Sequence, residues 1–141
     1  MTDNLEKIEK FLVKHHTLSL STCKDNICSS CTLFYAYDKE ENCFIVASDE
    51  KTEHVQNLFF NPNVSGTIHL ETELVGKIQG VQFKGKMLTC KDEKRIYLKR
   101  FPYALAMNPT LWKIEVEFFK FTDNRLGFGK KLIWQREAVS H

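Results

Sequence analysis

The sequence predicts a mainly β protein, an antiparallel sheet closed or split into a barrel, with a few short helices. Three observations predict it. About seven segments alternate apolar and polar residues with the period of two that a strand requires. Most of them come in pairs joined by short polar turns, the pattern of antiparallel hairpins. Helical spacing is confined to about three short pieces, too few for a bundle or for the crossovers of a parallel sheet.

The elements follow in order. Asp3 and Glu6 stand at capping-box spacing, and Leu5, Ile8, Phe11 and Leu12 share one face, which predicts an N-terminal helix. TLSLSTC (17–23) then alternates strictly, with Leu18 and Leu20 on one side. A second strand runs from Ile27 to Tyr37, KEEN (39–42) turns the chain, and CFIVAS (43–48) returns it. DEKTEHVQNLFF (49–60) predicts a short helix, capped by Ser48 or Asp49 and stopped by Asn61-Pro62-Asn63. Val64 to Glu71 is another alternating strand. IQGVQFKGKMLTC (78–90) turns Val81, Phe83 and Met87 one way and Gln82, Lys84 and Lys86 the other. KDEKRIYLKRF (91–101) is a helix ended by Pro102, and YALAM (103–107) a second short helical piece. LWKIEVEFFKF (111–121) places Trp112, Ile114, Val116 and Phe118 on one face of a long strand. Thr122-Asp123-Asn124 turns the chain into a last strand, RLGFGKKLIWQR (125–136), and the residues from Glu137 onward form a frayed tail.

Composition narrows the function. A chain of 141 residues with 43% apolar and 27% charged residues reads as one globular domain, 1–141, with room for a real core. A net charge of +2 without a long basic run gives no footprint for nucleic acid. No apolar run approaches the roughly 20 residues of a membrane span, and the charged N-terminus lacks the apolar region of a signal peptide. A cytoplasmic location is expected, with the five cysteines held as thiols.

Cys28-Ser29-Ser30-Cys31 invites a metal or redox reading. Residues three apart in a strand point to opposite faces, and no second Cys or His pair stands at matching spacing. The cysteines therefore read as small hydrophobes of a barrel wall, and no metal site is expected. VASDEKTEHVQNL (46–58) is different. A strand end runs into a helix start, with Ser48, Lys51, Thr52 and His54 gathered there, a combination that suits an anion as well as it suits a capped surface helix. Lys84, Lys86, Lys130 and Lys131 are a second cationic set, equally at home on a solvated face. No catalytic motif such as Gly-x-Ser-x-Gly or His-Glu-x-x-His occurs, and no two carboxylates are placed as an acid and a base.

The order of these parts, with Lys51-Thr52, His54, NPNVSGTI (61–68) and DNRLGFGKKLIWQR (123–136), resembles the FMN-binding split-barrel superfamily, the pyridoxamine-phosphate oxidase-like proteins, over nearly the whole chain. GVQFKG (80–85), RFP (100–102) and KFTDNRLGFGKKLIW (120–134) resemble one bacterial branch of it whose members are mostly uncharacterised. The resemblance implies a Greek-key split β-barrel that binds FMN at a homodimer interface and works as a flavin-dependent oxidoreductase on a small molecule, with neither nucleic acid nor membrane as partner. It implies that Ser30, Cys31, Thr32 and Tyr35 line the flavin ring. It implies that Ala47, Ser48, Lys51, Thr52 and His54 hold the phosphate, and that Gln82 meets the ring edge. Lys130, Lys131 and Trp134 would reach the partner's flavin. Glu53-His54 stands where the oxidase has a basic pair, with Lys51 supplying part of that charge. Gly127 to Lys131 replace the oxidase's substrate-binding arginine pattern, so pyridoxamine-phosphate oxidation is not implied.

The alternative reading is a binding module without turnover, for haem or another flat anionic ligand, with His15, His16, His54 and His69 as the available imidazoles. A third is a dimeric scaffold whose pocket has decayed.

Overall fold

A computed structural model describes residues 2–127 and 130–137. The chain runs α1 (Thr2–Lys14), β1 (Thr17–Lys24), β2 (Ile27–Asp38), β3 (Cys43–Ala47), α2 (Glu53–Leu58), β4 (Asn63–His69), β5 (Gln79–Thr89), α3 (Lys94–Arg100), α4 (Ala104–Met107), β6 (Leu111–Asp123) and β7 (Lys131–Gln135). The strands lie in the order β3-β2-β1-β4-β5-β6-β7, every neighbouring pair antiparallel. A further β3–β6 pairing closes the sheet into a barrel. Three hairpin-linked strands followed by one that returns beside the first make the Greek key.

One edge of β6 serves two partners. Residues 111–115 pair with β3 and residues 118–122 with β7. Between them the ladder slips, because Lys84 faces Phe118 while Gly85 faces Val116, leaving Glu117 as a bulge. Gly85 is required there, since a Cβ would lie 2.2 Å from the Glu115 carbonyl oxygen. Arg136 fills the gap: its Nε donates to the Val116 carbonyl at 2.8 Å, and its Nη2 donates to the carbonyls of Glu41 at 2.9 Å and Asn42 at 3.1 Å.

The bulge corrects one expectation from alternation. Trp112, Ile114 and Val116 point into the barrel, but Phe118 turns outward and is half-buried, while Phe119 and Phe121 enter the core. Inside, Phe44 meets the rings of Tyr35, Phe83 and Phe119 at 5.1, 5.0 and 6.0 Å. Ile8, Phe11 and Leu12 of α1 and Val55 of α2 complete this cluster. A second cluster lies outside the barrel wall, where Tyr97, Phe101 and Ala104 cover Ala36, Cys43 and Ile45. β3 is therefore buried on both faces, which is why Cys43-Phe44-Ile45-Val46 is continuously apolar.

Other boundaries differ from expectation. α1 starts at Thr2, so Asp3 sits in its first turn rather than at its cap. α2 is six residues long with Thr52 at its N-cap position, not Ser48 or Asp49. The Asp49 carboxylate instead accepts the Lys51 backbone N–H at 2.8 Å, a local turn that keeps 49–52 out of the helix. α3 likewise begins at Lys94, three residues later than expected. Phe128, Gly129 and the tail residues 138–141 lie outside the described residues.

Candidate functional site

Pairing across β2, β1, β4, β5, β6 and β7 lines up two rows of side chains on the outer face of the sheet. One row is Thr32, Ser19, Thr67, Gln82, Lys120 and Ile133. The next is Ser30, Ser21, Ser65, Lys84, Phe118 and Gln135. The Ser21 and Ser30 hydroxyls meet at 3.0 Å. A shallow groove of about 270 Å³ follows the rows and includes Ser65, Gln82, Lys84 and Phe118. At its floor Gly66 lets the Phe83 ring and the Ser19 carbonyl close in, since a Cβ there would lie 2.1 Å from that oxygen. Small hydroxyls beside an amide, an ammonium and one half-buried ring suit a planar polar ligand lying against the strands.

A second place lies at the end of β3. Ala47, Ser48 and Lys51 line a cleft of about 550 Å³ with Met107, Asn108 and Thr110. Ser48 is pinned by its backbone, which donates to the Thr110 carbonyl at 3.0 Å and accepts the Trp112 indole N–H at 3.0 Å. Its hydroxyl is 2.8 Å from Nε2 of His54. Thr52 Oγ1 donates to the Asp49 carbonyl at 2.7 Å and lies 3.3 Å from the same imidazole nitrogen. Burial holds the His54 pKa below its ordinary value, with Glu53 opposing, so this imidazole is largely neutral near pH 7.

The two places fit a flavin mononucleotide unequally. The outer face offers hydrogen-bonding groups, Thr67, Gln82 and Lys84, along its groove. The cleft carries Lys51, but Asp49 and Glu50 line it too. Its other anion donors are taken, because Ser48 holds His54 and the Lys51 N–H holds Asp49. A phosphate entering there would have to displace these contacts.

The residues expected from the resemblance thus separate. Ser30, Thr32 and Gln82 share the outer face, and Lys131 points the same way, its Nζ donating to Thr122 Oγ1 at 3.2 Å. Ala47, Ser48, Lys51, Thr52 and His54 gather at the end of β3. Lys130 is exposed. Cys31 and Tyr35 need correction as ring contacts, because alternation turns both inward. Tyr35 is fully buried and its hydroxyl donates to the Leu12 carbonyl. Burial raises the Cys31 thiol pKa. Trp134 also faces inward, packing on Phe119 at 5.6 Å. Among the imidazoles, His15 stacks on Phe11 at 4.1 Å while His16 and His69 are exposed. Among the described residues no group of three His, Cys, Asp or Glu side chains is placed to hold a metal, and no helix is long and apolar enough to cross a membrane.

Sequence reasoning missed part of the face. Ser19, Ser21, Ser65 and Thr67 were legible as the polar half of alternating strands, but only pairing shows that they are contiguous. Phe118 was assigned to the core, and the only hint of its outward turn was Gly85 in a strand.

Solved structures share this fold. A haem-binding protein from Mycobacterium smegmatis superposes with a TM-score of 0.77 at 14% identity, over 94% of this chain and 57% of that one. HutZ, the haem storage protein from Vibrio cholerae, gives 0.66 at 16% identity, over 79% and 89%. An FAD-binding protein from Mesorhizobium loti gives 0.65 at 18% identity, over 82% and 89%. The class is therefore a mainly antiparallel split barrel, and at such identities the likeness shows the fold alone. Closer relatives place the chain further. It is 35% identical over 142 residues to a UPF0306 protein of Photorhabdus laumondii, covering 96% of this chain and 98% of that protein. It is 38% identical over 141 residues to a UPF0306 protein of Klebsiella pneumoniae, covering 96% of each. The chain belongs to the UPF0306 family. No family model matches it.

Proposed function

We propose that this protein binds FMN on the outer face of its barrel, at a homodimer interface, and acts as a flavin-dependent oxidoreductase on a small molecule. The observation that carries this reading is the pair of polar rows centred on Thr32, Gln82, Ser21 and Lys84, open to solvent and floored by Gly66. Thr32 and Gln82 bond the polar edge of the ring, and the small serines let it lie flat. Lys84 is the cation of this face's groove available to the phosphate. Bound flavin supplies the electron transfer. The protein's part is to hold and orient the ring and to exclude water, which agrees with the lack of an acid–base pair. The exposure of Phe34 and Ile133 on the same face, 51% and 52%, supports the dimer in this reading, since a second copy would cover them. In this reading Lys130 and Lys131 of the second copy would reach the ligand from across the interface.

Added FMN should quench its fluorescence against the purified protein with micromolar affinity, and Gln82→Ala with Lys84→Ala should weaken binding at least tenfold. Unchanged FMN fluorescence at high protein concentration would overturn the reading.

A second reading, a haem-binding module without turnover, is favoured by the haem-binding names among the fold's neighbours. Titration with haemin separates the two: a Soret band abolished by replacing one of His15, His16, His54 or His69 with alanine would establish it, and free-haemin absorbance throughout would end it.

A further inference from the structure

Cys23 and Cys28 stand directly opposite each other across the β1–β2 hairpin. The turn between them is two residues, Asp25 at φ 52° and Asn26 at φ 65°, the left-handed pair of a type I′ turn. In such a hairpin the residues flanking the turn, Lys24 and Ile27, form the hydrogen-bonded pair. The next pair is then a non-hydrogen-bonded one, whose Cα atoms lie about 4.5 Å apart. A disulfide spans roughly 4.4–6.8 Å between Cα atoms. Ser21 and Ser30, the next outward pair on the same face, repeat the geometry, and their hydroxyl oxygens reach 3.0 Å.

Both sulfurs face away from the core. Cys28 is exposed and Cys23 half-buried, and together they line a groove of about 370 Å³ with Asn61, Ser65 and Lys84. The remaining cysteines differ. Cys43 is buried, and Cys31 and Cys90 are half-buried with their thiol pKa values raised first by burial. Cys31 stands on the opposite side of β2 from Cys28, facing Leu20.

We propose that Cys23 and Cys28 form a redox-active dithiol that closes into an intramolecular disulfide by exchange with a small-molecule disulfide such as oxidised glutathione. The Cys28 thiolate attacks one glutathione sulfur, forming a mixed disulfide and expelling one glutathione thiolate, which takes up the proton that Cys28 released. Cys23 then loses its proton and attacks the Cys28 sulfur, forming the Cys23–Cys28 bond and expelling the second glutathione, which takes that proton. The two cysteines lose two electrons and one glutathione disulfide becomes two thiols. Cys28 attacks first because it is exposed, whereas its neighbouring thiol raises the Cys23 pKa. The register already holds the two residues opposite each other. The bridge forms beside Ser65 and Lys84, in the same groove system as the outer face, yet it needs no bound flavin.

The test equilibrates the full chain at pH 8 across a range of reduced to oxidised glutathione, blocks residual thiols by alkylation and digests with trypsin. Under oxidising ratios peptides 15–24 and 25–39 should remain joined, while Cys43 and Cys90 are alkylated. The joined peptide should persist in Cys31→Ser and vanish in Cys23→Ser and in Cys28→Ser. In Cys23→Ser, Cys28 should stop at its glutathione adduct. Serine is close in size at these outward positions, and an unchanged thermal melt confirms that each variant is folded. A joined peptide absent at every ratio would overturn the proposal. So would a link that survives in Cys28→Ser, or one formed only between two copies of the chain.

Discussion

Ser48 and His54 illustrate what a single contact settles. Read as sequence, the pair suits an anion site as well as a capped surface helix. In the fold the hydroxyl and Nε2 satisfy each other at 2.8 Å and burial disfavours the charged ring. A His whose folded pKa is depressed binds a proton less readily than in the unfolded chain. Its stabilisation is complete above the ordinary His value near 6.5 and is lost progressively as pH falls below it. Chemical denaturation between pH 8 and 5 should therefore show stability declining below about pH 6.5, with a shallower decline in His54→Gln. At the core, Phe44 meets four aromatic rings, those of Tyr35, Tyr37, Phe83 and Phe119, and is fully buried. Phe44→Ala should cost about 3–5 kcal/mol, read as a lower urea midpoint at unchanged slope.

Between elements, two polar devices hold pieces that hydrophobic packing alone would leave free to slide. Glu93 just before α3 accepts the Lys91 N–H at 2.9 Å and pairs with Lys113 of β6 at 3.1 Å, pinning the outer helices to the wall. These hydrogen bonds lower the Glu93 pKa to about 2. A depressed carboxylate contributes stability above its unfolded value and loses it as pH falls through the folded one. The loss should run from about pH 4.5 down to 2, and Glu93→Gln should remove that part of the acid-unfolding curve. Arg136 is the second device, bonding three carbonyls where β3 and β7 part on β6. Arg136→Ala removes all three bonds, leaving the Asn42 carbonyl with the Val116 N–H alone, and should cost about 1–3 kcal/mol, seen as a lower thermal midpoint. Such cross-chain contacts are what alternation cannot reveal. The strands themselves were legible because Leu18, Leu20, Val81, Phe83 and Met87 keep a period of two against one core. Phe118 was misplaced because the Glu117 bulge arises from pairing with Gly85, 32 residues away in sequence, and the pattern of a single strand carries no record of its neighbour. The opposed Cys23 and Cys28 were hidden for the same reason, while the adjacent Cys-x-x-Cys drew attention to two thiols that face apart.

At the scale of the molecule, the barrel covers its interior fully and leaves one broad polar face bordered by Phe34, Phe118 and Ile133. The central claim is that this face takes FMN between two copies of the chain. Dimerisation should appear in sedimentation velocity as a species of twice the 16.5 kDa chain mass, weakened by Phe34→Lys, a charge placed among the residues that the partner would cover. The most direct measurement is the visible spectrum of the purified protein titrated with FMN. The account predicts a perturbed flavin band that saturates at one FMN per chain and is lost in Gln82→Ala with Lys84→Ala. A spectrum that stays the sum of free FMN and free protein at every ratio would contradict it.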